Sequence, residues 1–462
     1  MRECGYKCGM HHVEICFESI AATFDVINTQ KDESNESKRL KFVKDDQIVL
    51  LDMGGGTIDA ACLKFLEDGM MEETHHRDGL EIGGVAVDQA FEALLSDIFG
   101  DTVIPKFQKE LKKKVCKFLF LCNPQAWLQQ KYTFWSAKHS LPVNEQWNVR
   151  LDMHFKDHLE TECKSLTAVR EKLQAHKING KSKSGKKNFM CIRIIFLGLL
   201  GETFLVLSYE TWLFLHEQVL RSICDLVSKL LDHERVKPKV LIVTGGFSNC
   251  PYIVPRLEKL FSERKDPLKV YRPHNAHESV VRGSVLWAIN QKKLSFLRAF
   301  STLGLSVDWT WNPWDPHDDH KVSSFESSTG FLRKRCFDTI IRRDDKYEDG
   351  KEYNDVYVLP RQQTSVEFGL YKSEHKDGIQ YCDDKSKCQL LKKFIMFFEK
   401  PFSEQVDFQI TFILKNDRVR LLYKHPETGN FDFAIVKFED ECVEDVVKIG
   451  KEFENEELKV ES

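Results

Sequence analysis

At 462 residues, 42% of them hydrophobic, the chain is long enough for two or three domains with real cores, which excludes global disorder. A formal net charge of −4 and a sequence pI near 6.5 exclude a general nucleic-acid binder. Fourteen cysteines are scattered without a Cys-x-x-Cys pair and no apolar core precedes Glu14, so we expect no signal peptide, reduced thiols and a cytoplasmic setting.

Cys4, Cys8, His11 and His12 stand near metal-ligand spacing, but no second compact pair accompanies them, so a buried helix edge is expected there. The first strong signal is an apolar run, Ile48 to Leu51, that ends in Asp52, Met53, three glycines, Thr57, Ile58 and Asp59. It predicts a strand, a tight turn and an outgoing strand. Gly54, Gly55 and Gly56 remove every Cβ from the turn, so backbone N–H groups can approach a polyphosphate. Thr57 adds a hydroxyl, and Asp52 and Asp59 add carboxylates of the kind that hold a hydrated Mg²⁺.

Residues 103–121 and 125–138 read as helices, and the lysine-rich stretch within an insertion at about 164–188 reads as a solvated surface. The apolar stretch 189–207 carries Arg193, Glu202 and two glycines, so it predicts two buried strands and no membrane span. Trp212, Leu215, Val219, Ile223, Val227 and Leu231 recur at helical spacing behind Ser208, a candidate N-cap, and predict a long helix over 209–231. A second apolar strand, Val240 to Thr244, runs into Gly245, Gly246, Phe247, Ser248, Asn249 and Cys250. Pro251 then suits a helix entrance, followed by Ile253, Val254, Leu257, Leu260 and Phe261. Glycines ahead of a helix let a flat ring or a phosphate lie against backbone. After about residue 295 strands and turns dominate. Val406–Leu414, Arg418–Lys424 and 431–438 predict an antiparallel meander, with Phe408, Ile410, Phe412 and Leu414 on one face. Trp309, Trp311 and Trp314 are expected in the core, and residues 441–462 form an acidic tail.

The two glycine turns resemble those of the actin-like ATPase superfamily and, within it, the seventy-kilodalton heat-shock family, above all its divergent member-twelve branch. Glu18-Ser19-Ile20-Ala21-Ala22 resembles the family's Glu-Pro-x-Ala-Ala turn, and Asp52 to Asp59 its second phosphate loop. Glu81-Ile82-Gly83-Gly84 with Asp88 and Phe91 is similar to the glycine pair and helix that follow, and residues 124–139 to the adenosine-side helix. Gly245-Gly246 is similar to the adenosine loop, and Arg282-Gly283-Ser284-Val285 to the helix after it. The implied fold is α/β, an actin-like ATPase (ribonuclease H-like) fold over residues 1–295, lacking most of its first lobe. A β-rich region of the substrate-binding type would span 296–440, using extended-peptide recognition.

That resemblance implies Mg-ATP or Mg-ADP in an interlobe cleft. Gly54, Gly55, Gly56, Thr57, Gly83 and Gly84 would face phosphates, and Asp52, with Glu18, would hold Mg²⁺ through water. Asp52 or Asp59 would help place the attacking water, while Lys138, His139, Gly245, Gly246, Phe247 and Asn249 would hold the nucleoside. Client polypeptides or co-chaperones are the implied partners. Departures from the family pattern are Ser19, Trp135, His139 and His277. Indole only donates, so Trp135 cannot accept the ribose hydrogen bonds a glutamate would. Weak or absent hydrolysis is therefore expected, and the alternative is a non-catalytic interaction protein that keeps the fold. A sugar-kinase-like phosphotransferase fits less well, because a β-rich C-terminal region is unexpected there.

Overall fold

The computed structural model describes residues 2–11, 13–32, 40–107, 109, 126–140, 142, 146–165, 167–168, 171, 179–181, 187–189, 192–197, 202–264, 266–310, 326–327, 330–359, 361–362, 364–382, 384–398, 400–415, 418–424, 426, 429, 431–437 and 446–449. The chain is a mixed α/β protein. A seven-stranded sheet runs in the order Lys269–Tyr271, Val240–Thr244, Gln47–Met53, Ile58–Phe65, Met71–Leu80, Leu294–Arg298 and Lys346–Tyr347. The first three strands are parallel, and the Gln47–Met53, Ile58–Phe65 and Met71–Leu80 strands form an antiparallel meander.

Side-chain alternation explains how this sheet is covered on both faces. Val49, Leu51 and Met53 point into one core with the Gly84–Phe99, Tyr209–Asp232 and Ile253–Ser262 helices. Ile48 and Leu50 point the other way, against Ile20, Ala22, Phe24 and Val26 of the Glu18–Asp32 helix. A strand buried on both faces must be nearly continuously apolar, which is why residues 48–51 carry no polar side chain. On that second face the Glu18–Asp32 helix crosses the Ser279–Ile289 helix at Gly283, and Arg282 pairs with Asp25 at 3.0 Å. A Cβ at Gly283 would lie 1.8 Å from the Ala21 carbonyl oxygen, so the two backbones touch there.

The long helix occupies Tyr209–Asp232, and the Ser208 hydroxyl accepts the Thr211 N–H as its cap. The apolar stretch before it forms the antiparallel pair Ile192–Leu197 and Glu202–Ser208. Among the described residues no helix is long and apolar enough to cross a membrane. The 125–138 helix begins at Ala126, and of the 103–121 helix residues 103–107 are helical while 108 and 110–121 lie outside the described residues.

After the Leu294–Arg298 strand the regular elements among the described residues are all strands. A six-stranded sheet runs Glu326–Ser327, Gly330–Ile341, Thr302–Thr310, Ser365–Ser373, Gln389–Phe397 and Val446–Ile449. A four-stranded sheet joins Glu352–Leu359 to the meander Val406–Leu414, Arg418–Lys424 and Phe431–Lys437. Phe408, Ile410, Phe412 and Leu414 are all buried, in one core with Leu303, Leu305, Phe368 and Phe394. The Leu294–Arg298 and Lys346–Tyr347 strands belong to the seven-stranded sheet, so its last two strands come from this later part of the chain. Trp311, Trp314, the Trp309 side chain, His12, most of the 164–188 insertion and the 441–462 tail apart from Val446–Ile449 lie outside the described residues.

Candidate functional site

The site lies where two parallel strands end side by side. Asp52 is in register with Thr244 across the parallel pair and with Asp59 across the antiparallel hairpin. Both aspartates therefore face the same side of the sheet. The turn between them closes tightly, with the Gly54 N–H donating to the Thr57 carbonyl at 2.9 Å. The Thr57 hydroxyl donates to Asp59 Oδ2 at 3.1 Å.

Three glycine segments interlock around this hairpin. The Gly84 N–H donates to the Gly54 carbonyl at 3.1 Å and the Val85 N–H to the Gly55 carbonyl at 2.9 Å. A Cβ at Gly83 would lie 2.6 Å from both of those carbonyl oxygens, and one at Gly84 would lie 3.0 Å from the Phe247 ring. Gly245 has φ +82° and sits so close to the first turn that a Cβ there would be 2.5 Å from Asp52 Oδ1 and from the Met53 carbonyl. The Gly245 N–H donates to the Ala276 carbonyl at 2.9 Å, and the Ser248 hydroxyl to the Gly245 carbonyl at 2.7 Å. Gly55, Gly56, Thr57 and Gly246 are exposed, and nothing stands within 4 Å of where a Cβ would sit on Gly56 or Gly246. The structure thus joins Asp52, Asp59, the Gly54 turn, Gly83, Gly84, Gly245 and Phe247 into one neighbourhood.

The electrostatics are those of a carboxylate cluster short of positive charge. Asp52 is buried and pushed up to about 7, first by burial, then by Glu18 and Asp59 and by a hydrogen bond with Glu18. The Thr244 hydroxyl, 3.4 Å from Asp52 Oδ1, pulls weakly the other way. Burial also raises Asp59, with the Thr57 hydrogen bond opposing it. Because Asp52 titrates higher in the folded chain, the folded state holds more protons than the unfolded one between about pH 4 and pH 7. Stability then falls as pH rises through that window. Asp52→Asn is expected to stabilise the metal-free chain at pH 8 by on the order of 2–4 kcal/mol and to change it little at pH 4. Urea titrations at the two pH values check this.

The adenosine-side residues are placed differently. Lys138 is only 2% exposed, and its ammonium donates to the Gly84 carbonyl at 2.9 Å and to Asp88 at 2.7 Å. Its charge is committed inside the protein, where it braces the Gly83–Gly84 turn, with the Phe247 ring 5.9 Å away. His139 stacks obliquely on Trp135 at 4.8 Å and is pushed down to about 4, chiefly by burial and then by Lys138, so it is neutral at pH 7. The Asn249 side-chain oxygen accepts from Arg272 at 2.6 Å. Trp135 and His277 are exposed, and Ser19 is buried. Sequence reasoning missed Asp88 as the partner of Lys138. Its one legible trace is an aspartate one turn into a helix that starts at a glycine pair.

Comparison with known proteins supplies the ancestry. The chain is 23% identical over 354 residues to heat shock 70 kDa protein 12A of Homo sapiens, a match covering 75% of this chain and 47% of that protein. The protein of the same name from Mus musculus matches to the same extent. Heat shock 70 kDa protein 12B of Homo sapiens is 24% identical over 264 residues, covering 57% of this chain and 34% of that protein. The chain is a distant relative of heat shock 70 kDa proteins 12A and 12B. It spans about half the length, or less, of the curated relatives it matches. No family profile matches the chain.

Proposed function

We propose that the chain has the actin-like ATPase fold over residues 1–295 and binds Mg-ATP or Mg-ADP at the junction of its glycine turns. The β-rich part from 296 to 440 would engage client polypeptides or co-chaperones in the cytoplasm. One observation supports the nucleotide reading: Gly245 packs directly on Asp52 and Met53, which sets the two glycine turns, with their exposed Gly55, Gly56 and Gly246, next to each other. Exposed glycines at the ends of parallel strands leave N–H groups open to phosphate oxygens.

The residues fit the cation as well as the nucleotide. Burial, reinforced by the neighbouring Glu18 and Asp59 charges, holds Asp52 up near neutrality, and a divalent cation would offset both. Asp52, with Glu18 and Asp59, would hold Mg²⁺ through its waters, and the ion would neutralise phosphate charge. Gly55, Gly56 and Thr57 would orient the phosphates, and Gly246 would let the nucleoside approach. Lys138 would keep the Gly83–Gly84 turn in position through Gly84 and Asp88. What these groups do is bind and orient, so turnover would be positioning and electrostatics and is proposed to be weak or absent. The commitment of the Lys138 charge to Asp88 favours the second reading, an interaction protein that holds nucleotide without turnover.

Calorimetric titration of the chain with Mg-ATP tests the site. Binding is expected in the unmodified chain, and a drop of about tenfold or more is expected in both Thr57→Ala and Gly246→Asp. Unchanged affinity in both folded variants rejects the site.

A further inference from the structure

We infer that His75, His76 and Asp344 form a binding site for one divalent transition-metal ion, of the zinc type, that fastens the Met71–Leu80 strand to the turn at Arg342–Asp345. Among the described residues these three buried side chains each offer a ligand atom, all within 4.8 Å of one another. Tetrahedral zinc with nitrogen and oxygen ligands at about 2.1 Å needs them about 3.4 Å apart, so the set must contract by roughly 1 Å. The residues are 268 positions apart in the chain, yet the His76 N–H already donates to Asp344 Oδ1 at 3.3 Å.

The hydrogen bonding leaves ligand nitrogens aimed inward. His75 Nδ1 is 2.7 Å from the His76 carbonyl oxygen, which fixes the hydrogen on Nδ1 and leaves the Nε2 lone pair open. His76 Nδ1 is buried without a hydrogen-bond partner, in a side chain 9% exposed, and faces Asp344 Oδ1 at 3.5 Å. Arg343 donates to His76 Nε2 at 3.0 Å, so in the metal-free chain the ring hydrogen lies on Nδ1. Metal entry at Nδ1 moves that hydrogen to Nε2, and Arg343 keeps its other partner, Glu374. The ring stays neutral throughout. Burial, followed by the neighbouring ring for His75 and by Arg343 for His76, holds both imidazoles near 4, so neither carries charge at pH 7.

His233 stands beside the set as a fourth candidate ligand. Its Nε2 is 3.6 Å from Asp344 Oδ2, its ring meets His75 edge-on at 4.7 Å, and its Nδ1 accepts the Arg235 N–H at 3.3 Å, which keeps Nε2 on the Asp344 side. The competitor is Arg235, whose guanidinium pairs with Asp344 in the metal-free chain. That side chain is about one-third exposed, so it can swing to solvent when an ion takes the carboxylate. Arg298 lies on the Asp344 carbonyl at 3.0 Å and does not occupy the carboxylate. Two nitrogens and a carboxylate, with no thiol, select zinc-like ions over Mg²⁺ or Ca²⁺.

Titration of the chelator-treated full chain with ZnCl₂, without nucleotide, tests this together with the visible spectrum of the CoCl₂-loaded chain. Expected are one ion per chain, a tetrahedral cobalt spectrum without a thiolate charge-transfer band, and binding weakened at least about tenfold in Asp344→Asn and His76→Ala. Arg235→Ala is expected to tighten binding, because it removes the competing cation. A thiolate band would assign the ion to cysteines such as the exposed Cys4 and Cys8 and overturn the proposal. So would the absence of stoichiometric uptake, or an Arg235→Ala chain that binds no more tightly than the parent. If His76→Ala fails to fold, the Arg235→Ala and cobalt results still decide.

Discussion

Gly245→Ala is expected to cost about 2–5 kcal/mol of stability, while Gly246→Ala, one residue later, is expected to cost less than about 1 kcal/mol. The two positions share a turn, and their surroundings differ. Gly245 has φ +82° and ψ 163°, a backbone region that is essentially glycine's alone and costs an L side chain about 1–3 kcal/mol. Its added methyl would also meet Asp52 Oδ1 and the Met53 carbonyl at 2.5 Å, and one of those is backbone that cannot step aside. Gly246 has open space instead. Equal urea midpoints for the two variants would mean that the turns do not pack as described. The contrast matters beyond stability, because the contact broken in Gly245→Ala is the one that brings the two glycine turns together.

Gly283→Ala is expected to destabilise the chain by about 3 kcal/mol or more, from a different cause. Its backbone is helical, so conformational freedom is not at issue. The methyl would lie 1.8 Å from the Ala21 carbonyl oxygen, inside the backbone of the crossing helix. The Glu18–Asp32 and Ser279–Ile289 helices must then separate, and the Arg282–Asp25 ion pair and the Arg282–Thr29 hydrogen bond open with them. Glu18 begins the displaced helix and is one of the groups that raise Asp52. Gly283→Ala is therefore also expected to lower the Asp52 pKa, readable by carboxyl NMR titration. A variant with parental stability would contradict the close crossing.

The parts of this structure legible in the sequence are those written in short segments. The Asp52–Asp59 hairpin, the Val240–Thr244 strand and the Tyr209–Asp232 helix announce themselves through apolar runs, glycines and a serine cap within a few residues. The Val406–Leu414 face was equally plain, because alternation at period two needs no tertiary context. Residue chemistry at the site was less legible. Lys138 reads as a free cation in sequence, and only the fold brings Asp88 and the Gly84 carbonyl against it. Asp52 reads as an ordinary carboxylate until burial, Glu18 and Asp59 act on it together. His75, His76 and Asp344 gave no signal at all, since adjacent histidines on a strand suggest nothing until a turn 268 residues away supplies the carboxylate.

Hydrogen–deuterium exchange of the chain with and without Mg-ATP tests the central claim most directly. If both turns serve one nucleotide, peptides covering residues 52–59, 81–88 and 244–250 should slow together, at one ligand concentration and with one midpoint. Protection confined to one of those peptides, or to a different part of the chain, would contradict a shared site.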